Sequence, residues 1–122
     1  MKLTFVETSW FTKRLKVRLS DEHFRAFQNE LMANPEKGKP MGGCGGVRKV
    51  RFADPSRGEG KRGGVRIIYL FTREAFRIDL LDVYGKDEKE DLTAAEKKML
   101  ARLAATARQD AIYSYGKGKG TT

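Results

Sequence analysis

Between Gly45 and Lys86 the chain runs GGVRKVRFADPSRGEGKRGGVRIIYLFTREAFRIDLLDVYGK. Three apolar runs within it, Val47–Phe52, Val65–Phe71 and Phe76–Tyr84, are rich in Val, Ile, Phe and Tyr and are bounded by Gly, Pro, Asp and Ser. That composition between those breakers predicts three consecutive strands. Arg48, Lys49, Arg51, Arg66 and Lys86 fall inside or just beyond them. If Phe52 and Val65 form the innermost pair of the first hairpin, Arg51 and Arg66 stand directly opposite on one face. Like charges so placed destabilise a sheet, so the pair points to an anion that binds there. Val65–Phe71 is apolar on both faces apart from Arg66, as expected of a central strand with an arginine at its start.

The flanking sequence supplies what packs on these strands. Leu3–Glu7 alternates and predicts a first strand. Thr8 or Ser9 can cap a short helix whose Phe11, Leu15 and Leu19 recur every fourth position, with Trp10 expected as a core or helix-packing anchor. Ser20 caps a second helix with Asp21 and Glu22 in its first turn and Phe24, Phe27 and Leu31 on one stripe; Asn34-Pro35 stops it. The two helices are predicted to form a hairpin on one face of the sheet. After the acidic patch Asp87, Glu88, Glu90 and Asp91, Thr93 and Glu96 form a capping box for a last helix. Met99, Leu100, Leu103, Ala104 and Ala107 are its expected buried stripe, and Lys97, Lys98, Arg102 and Arg108 its solvated face. The expected fold is α+β, in the order β-α-α-β-β-β-α with a mostly antiparallel sheet. It forms a single domain over residues 1–112, followed by a disordered Gly/Lys-rich tail over 113–122.

A chain of 122 residues with formal charge +9 suits one basic domain whose partner is nucleic acid, an anionic surface or an acidic protein. The lone Cys44 excludes an internal disulfide framework and a cysteine-cluster zinc site. It lies in the loop Gly38–Gly46, where a thiol nucleophile would need a base. The single histidine, His23, falls in the first turn of the second helix, so both residues are expected to be structural. No apolar run approaches the roughly 18 residues of a membrane span, and MKLTFVETSW has no signal-peptide core. A soluble cytoplasmic protein is expected. The connection from Ala53 to Gly64 exceeds the roughly two to five residues of a usual hairpin loop. It carries Arg57, Lys61 and Arg62, a composition suited to binding. Its Gly58, Gly60 and Gly63 spell GxGxxG, but a strand follows where the dinucleotide fingerprint needs a helix. No motif asks for a cofactor or metal.

These features together resemble the RelE/ParE superfamily of bacterial toxin–antitoxin toxins, most closely the HigB-like branch of the RelE-type mRNA interferases. The resemblance covers about residues 3 to 108. It is carried by the strand–helix–helix opening, GGVRKVRF, KRGGVRIIYLF, and LLDVYGKDE leading into LTAAEKKML. Arg66-Ile67-Ile68-Tyr69 and the VYGK segment are its most specific parts. It implies a ribosome-dependent endoribonuclease that enters the A site. The ribose 2′-OH attacks the scissile phosphate without a metal or cofactor, leaving a 2′,3′-cyclic phosphate and a 5′-OH. Arg51 and Arg66 would hold the phosphate, since guanidinium groups bind it in a bidentate way. Lys86 is the candidate for proton transfer, because a lysine crowded by positive charge releases its proton more readily. Tyr84 would stack on a base or position the nucleotide. Arg48, Lys49, Lys61 and Arg62 would grip RNA backbone.

Some members place a histidine or a C-terminal tyrosine in the site. This chain has no histidine there, and Tyr113 and Tyr115 sit in or before the tail, so the general base stays open between Lys49 and Lys86. The resemblance further implies a protein antitoxin, often a helix-turn-helix protein encoded adjacently. A ParE-like gyrase poison is the alternative within the superfamily, and the set Arg51, Arg66 and Lys86 argues against it. A non-enzymatic RNA-binding module would show exposed aromatics among its basic residues, whereas most strand aromatics here alternate inward. Ordinary ion pairs also remain open: Arg48 with Asp79 or Asp82, and Arg66 with a carboxylate of the acidic patch.

Overall fold

In the computed structural model, which describes residues 2–53, 64–86, 88–89 and 91–120, the expected order of elements is realised with one addition. β1 (Thr4–Glu7) leads into α1 (Ser9–Arg18) and α2 (Asp21–Ala33). β2 (Lys39–Pro40), β3 (Arg48–Phe52), β4 (Val65–Thr72), β5 (Arg77–Gly85) and α3 (Ala94–Gly120) follow. The predicted caps hold the helix starts. Thr8 Oγ1 accepts from the Phe11 amide and Ser20 Oγ from the His23 amide. Thr93 and Glu96 exchange both bonds of the capping box. The addition is β2, whose Lys39 and Pro40 pair with Lys49 and Arg48 inside the segment expected to be a loop. Two residues are too few to show alternation, so nothing local announces this strand.

The sheet order is β1-β5-β4-β3-β2, which puts β4 in the centre as expected. β1 runs parallel to β5, and the other pairs are antiparallel. Phe52 faces Val65 and Arg51 faces Arg66, the predicted register. Gly64 permits this closure: a Cβ there would lie 2.0 Å from the Phe52 carbonyl oxygen. Phe76 takes a left-handed backbone (φ 49) after a 3-10 turn at Arg73–Ala75, so β5 starts one residue later than the apolar run suggested.

Apolar side chains close both faces of the sheet. On one, Phe11, Leu15, Leu19, Phe27 and Leu31 of the helical hairpin pack on Val50, Phe52, Ile67, Tyr69, Leu80 and Val83. On the other, Leu100 and Ala104 of α3 pack with Val47, Ile68, Leu70, Leu81 and Tyr84, and Cys44 is buried among them. α3 corrects three expectations. Its contact strip is narrower than its apolar stripe, so Met99 is 64% and Leu103 42% exposed. One cation assigned to the solvated face, Arg108, reaches back to donate to the Gly45 carbonyl, whereas Lys97 makes only a surface pair 4.0 Å from Asp91. The helix also continues through Tyr113 and Tyr115 to Gly120, across most of the expected tail, and Tyr115 packs 5.8 Å from Phe76. Trp10 is 57% exposed rather than core, and its indole N–H donates to Asp82 at 3.1 Å. Among the described residues no helix is long and apolar enough to cross a membrane.

Candidate functional site

Alternation along β3 divides its side chains between the two faces. Val50 and Phe52 enter the hairpin core, so Lys49 and Arg51 face the side of α3. In β4, Arg66 is registered with Arg51 on one side and with Tyr84 of β5 on the other. Arg51, Arg66 and Tyr84 therefore form a row across three adjacent strands, spanning about 10 Å at ordinary strand spacing. Lys49 lies one step further along the same face.

The members of the row differ in burial. Arg51 is exposed and has no ion-pair partner among the described residues. Arg66 is only 5% exposed. Its Nη1 donates to the Gly64 carbonyl at 3.0 Å, and among the described residues no carboxylate pairs with it. A buried charge without a counter-charge is costly, which is the condition an anion would relieve. Tyr84 is fully buried against α3, and its hydroxyl has no hydrogen-bond partner among the described residues. Burial pushes the phenol up to about 12, with Asp91 adding to the shift and Arg66 opposing it. Tyr84 thus stays protonated at neutral pH. Its ring is not open for a base to stack on, so its hydroxyl is the functional group that remains.

Lys89, which nothing in the sequence distinguished from its acidic neighbours, sits over the Tyr84 ring at 5.0 Å and donates to Glu96 at 2.6 Å. Lys49 Nζ lies 3.6 Å from Asp91. Asp91, one of the acidic-patch carboxylates left open as a partner for Arg66, thus lies beside Lys49 instead. Lys86 is exposed in the turn after β5 and has no ion-pair partner among the described residues. Arg48 departs from the cluster. It points to the opposite face, pairs with Glu36 at 3.2 Å and donates to the Gly38 carbonyl at 2.7 Å. Neither carboxylate expected to take it is available, because Asp79 is held by Arg77 and Asp82 by Arg14 and Trp10. Lys61 and Arg62, with Arg57, lie outside the described residues. The assembled face offers cationic donors and one neutral phenol, a set suited to holding phosphate and stabilising charge that develops on it.

No family model matches the chain. Among solved structures, the chain is similar to the isolated E. coli RelE toxin, with a TM-score of 0.50 and 16% identity over 84% of this chain and 99% of that one. It also matches a chain of the intact E. coli RelBE toxin–antitoxin complex, with a TM-score of 0.49 and 17% identity over 67% of this chain and 94% of that one. At this identity the likeness to RelE establishes the α+β fold: a RelE-like five-stranded sheet with three helices.

Proposed function

We propose that this chain is a RelE-type toxin of a type II toxin–antitoxin pair, nearest the HigB-like branch, and that it cuts mRNA in the ribosomal A site. The observation that carries this reading is the buried Arg66, with Arg51 opposite it and, on its other side, the Tyr84 hydroxyl, which has no partner among the described residues. A phosphate in this row would offset two like charges and give the phenol an acceptor. The fold likeness to the E. coli RelE toxin supports the same reading.

In this reaction the ribose 2′-oxygen attacks phosphorus as the bond to the 5′-oxygen breaks. Arg51 and Arg66 would neutralise charge gathering on the non-bridging oxygens. The proton of the 2′-OH would pass to Lys49 or Lys86 in its neutral form. A proton would reach the leaving 5′-oxygen from the Tyr84 hydroxyl or a lysine ammonium. Lys49, Lys61 and Arg62 would hold flanking backbone. Correct orientation of the message by the ribosome can lower the barrier by several kcal/mol, which accounts for a site lacking a histidine. A protein antitoxin, of the helix-turn-helix kind and encoded adjacently, would restrain the cationic face in the cytoplasm through charge complementarity.

The test is induced expression in a bacterium with primer extension on a reporter mRNA. Wild type should arrest growth and produce cleavage within translated codons. Arg66→Ala should do neither at equal protein level, and the neighbouring gene product should relieve the arrest. Undiminished cleavage by Arg66→Ala would remove the assignment.

A further inference from the structure

A cavity of about 600 Å³ opens between the start of α1 and the first turns of α3, floored by Leu81, Leu92 and Leu100. Three large apolar side chains at its rim, Trp10, Met99 and Leu103, are about half exposed or more. Val17, two turns beyond Trp10 on the same side of α1, is exposed as well. Large apolar side chains gathered round one opening mark an interaction surface rather than ordinary scatter. The described carboxylates that line the groove are paired with cations of the chain. Asp82 accepts from Trp10 and lies 3.1 Å from the Arg14 Nε, and Glu96 is bonded to Lys89 and to the Thr93 amide. Cations without such partners stand on its flanks. Lys13 follows Trp10 by one turn, and Lys98 and Arg102 adjoin Met99 and Leu103. All three are exposed without an ion-pair partner among the described residues.

We propose that this groove docks an amphipathic helix of a partner protein, its apolar stripe seated between α1 and α3 and its flanks acidic. A third helix suits the space because Met99 and Leu103 present a four-residue ridge, the spacing that helical side chains interdigitate with. Glutamates beside the stripe would meet Lys13, Lys98 and Arg102. The groove shares Lys89 and Glu96 with the surroundings of Tyr84 but contains neither Arg51 nor Arg66. It would accept such a helix whether or not Arg66 holds phosphate, so the two readings can fail separately.

Trp10 is the only tryptophan in the chain, so its fluorescence reports on the rim directly. The probe is a synthetic helical peptide with leucines at i, i+3, i+4 and i+7 and glutamates beside them, compared with a lysine-flanked version and a scrambled one. The glutamate peptide should shift Trp10 emission saturably. Leu103→Glu and Met99→Glu, both at exposed sites, should each weaken binding at least tenfold with unchanged circular dichroism. The double variant Lys98→Glu/Arg102→Glu should favour the lysine peptide. Equal binding of the two charged peptides, or no saturable binding, would overturn the proposal. So would a dimer of the chain that Leu103→Glu dissociates, which would give the groove to a second copy. A hydrophobic dye that binds there and is not displaced by the glutamate peptide would give it to a small molecule.

Discussion

The two faces of one sheet have been put to different uses. On the hairpin face Val50, Phe52, Ile67, Tyr69, Leu80 and Val83 share one apolar cluster with the helical hairpin, and Phe27 packs edge-on to Phe52 at 5.4 Å. On the α3 face the same strands bury Ile68 and Leu70 but also present Lys49, Arg51, Arg66 and a phenol without a partner among the described residues. Strand alternation makes the division sharp. Adjacent residues in β3 belong to different faces, so Arg48 braces the chain around Glu36 while Lys49 reaches the acidic segment. Both faces bury a core, but the α3 face also carries Arg51 and Arg66 without a counter-charge among the described residues, which is costly unless an anion arrives.

Substitutions on the two faces should therefore separate stability from activity. The largest effect on stability is expected for Phe27→Ala, which empties the centre of the hairpin core and should cost about 3–5 kcal/mol in urea unfolding. A smaller but more discriminating pair is Arg48→Ala with Lys49→Ala. The first should lose about 1.5 kcal/mol through its charged hydrogen bonds and keep RNA cleavage. The second should keep its stability and lose cleavage. If both lost only activity, the division between faces would be wrong. Tyr84→Phe removes a buried hydroxyl that has no partner among the described residues, so stability should rise by about 1 kcal/mol while cleavage falls.

The smallest effect concerns Glu88, which ties the turn after β5 to α1. Burial acts to raise its carboxyl, but bonds from Arg14 and Arg18 hold it below its ordinary value of 4.5. A depressed folded-state value gives stability that is present above 4.5 and lost as pH falls through the folded-state titration. Because Glu88 is partly exposed, Glu88→Gln should cost only a few tenths of a kcal/mol at pH 7. That difference from wild type should vanish in acid. A difference that grew on acidification would contradict the assignment.

Much of the division was legible in the residues. Phe52 and Val65 bracket the first hairpin, and from that register the opposition of Arg51 and Arg66 follows by counting. The central place of β4 follows from its two apolar faces. What was not legible depended on contacts distant in sequence. The bond of Arg48 to the Gly38 carbonyl needs β2, a strand too short to leave a pattern. Lys89 over Tyr84 needs the path of the chain between β5 and α3. Met99 and Leu103 have the spacing of buried residues, and only the narrow seat of α3 on the sheet leaves them outside. Periodicity shows which side of a helix is apolar but not how much of that side its neighbour covers.

We propose that the α3 face binds and cleaves a phosphodiester. The most direct measurement compares purified wild type and Arg66→Ala on the same message, free in solution and on ribosomes with a defined A-site codon. Wild type should cleave on ribosomes and do little to naked RNA. Arg66→Ala should lose about 100-fold or more, in line with removing one transition-state donor, with stability equal to or above wild type because the Arg51–Arg66 repulsion is gone. Equal cleavage by the two proteins on ribosomes, or a loss of activity matched by unfolding of the variant, would contradict it.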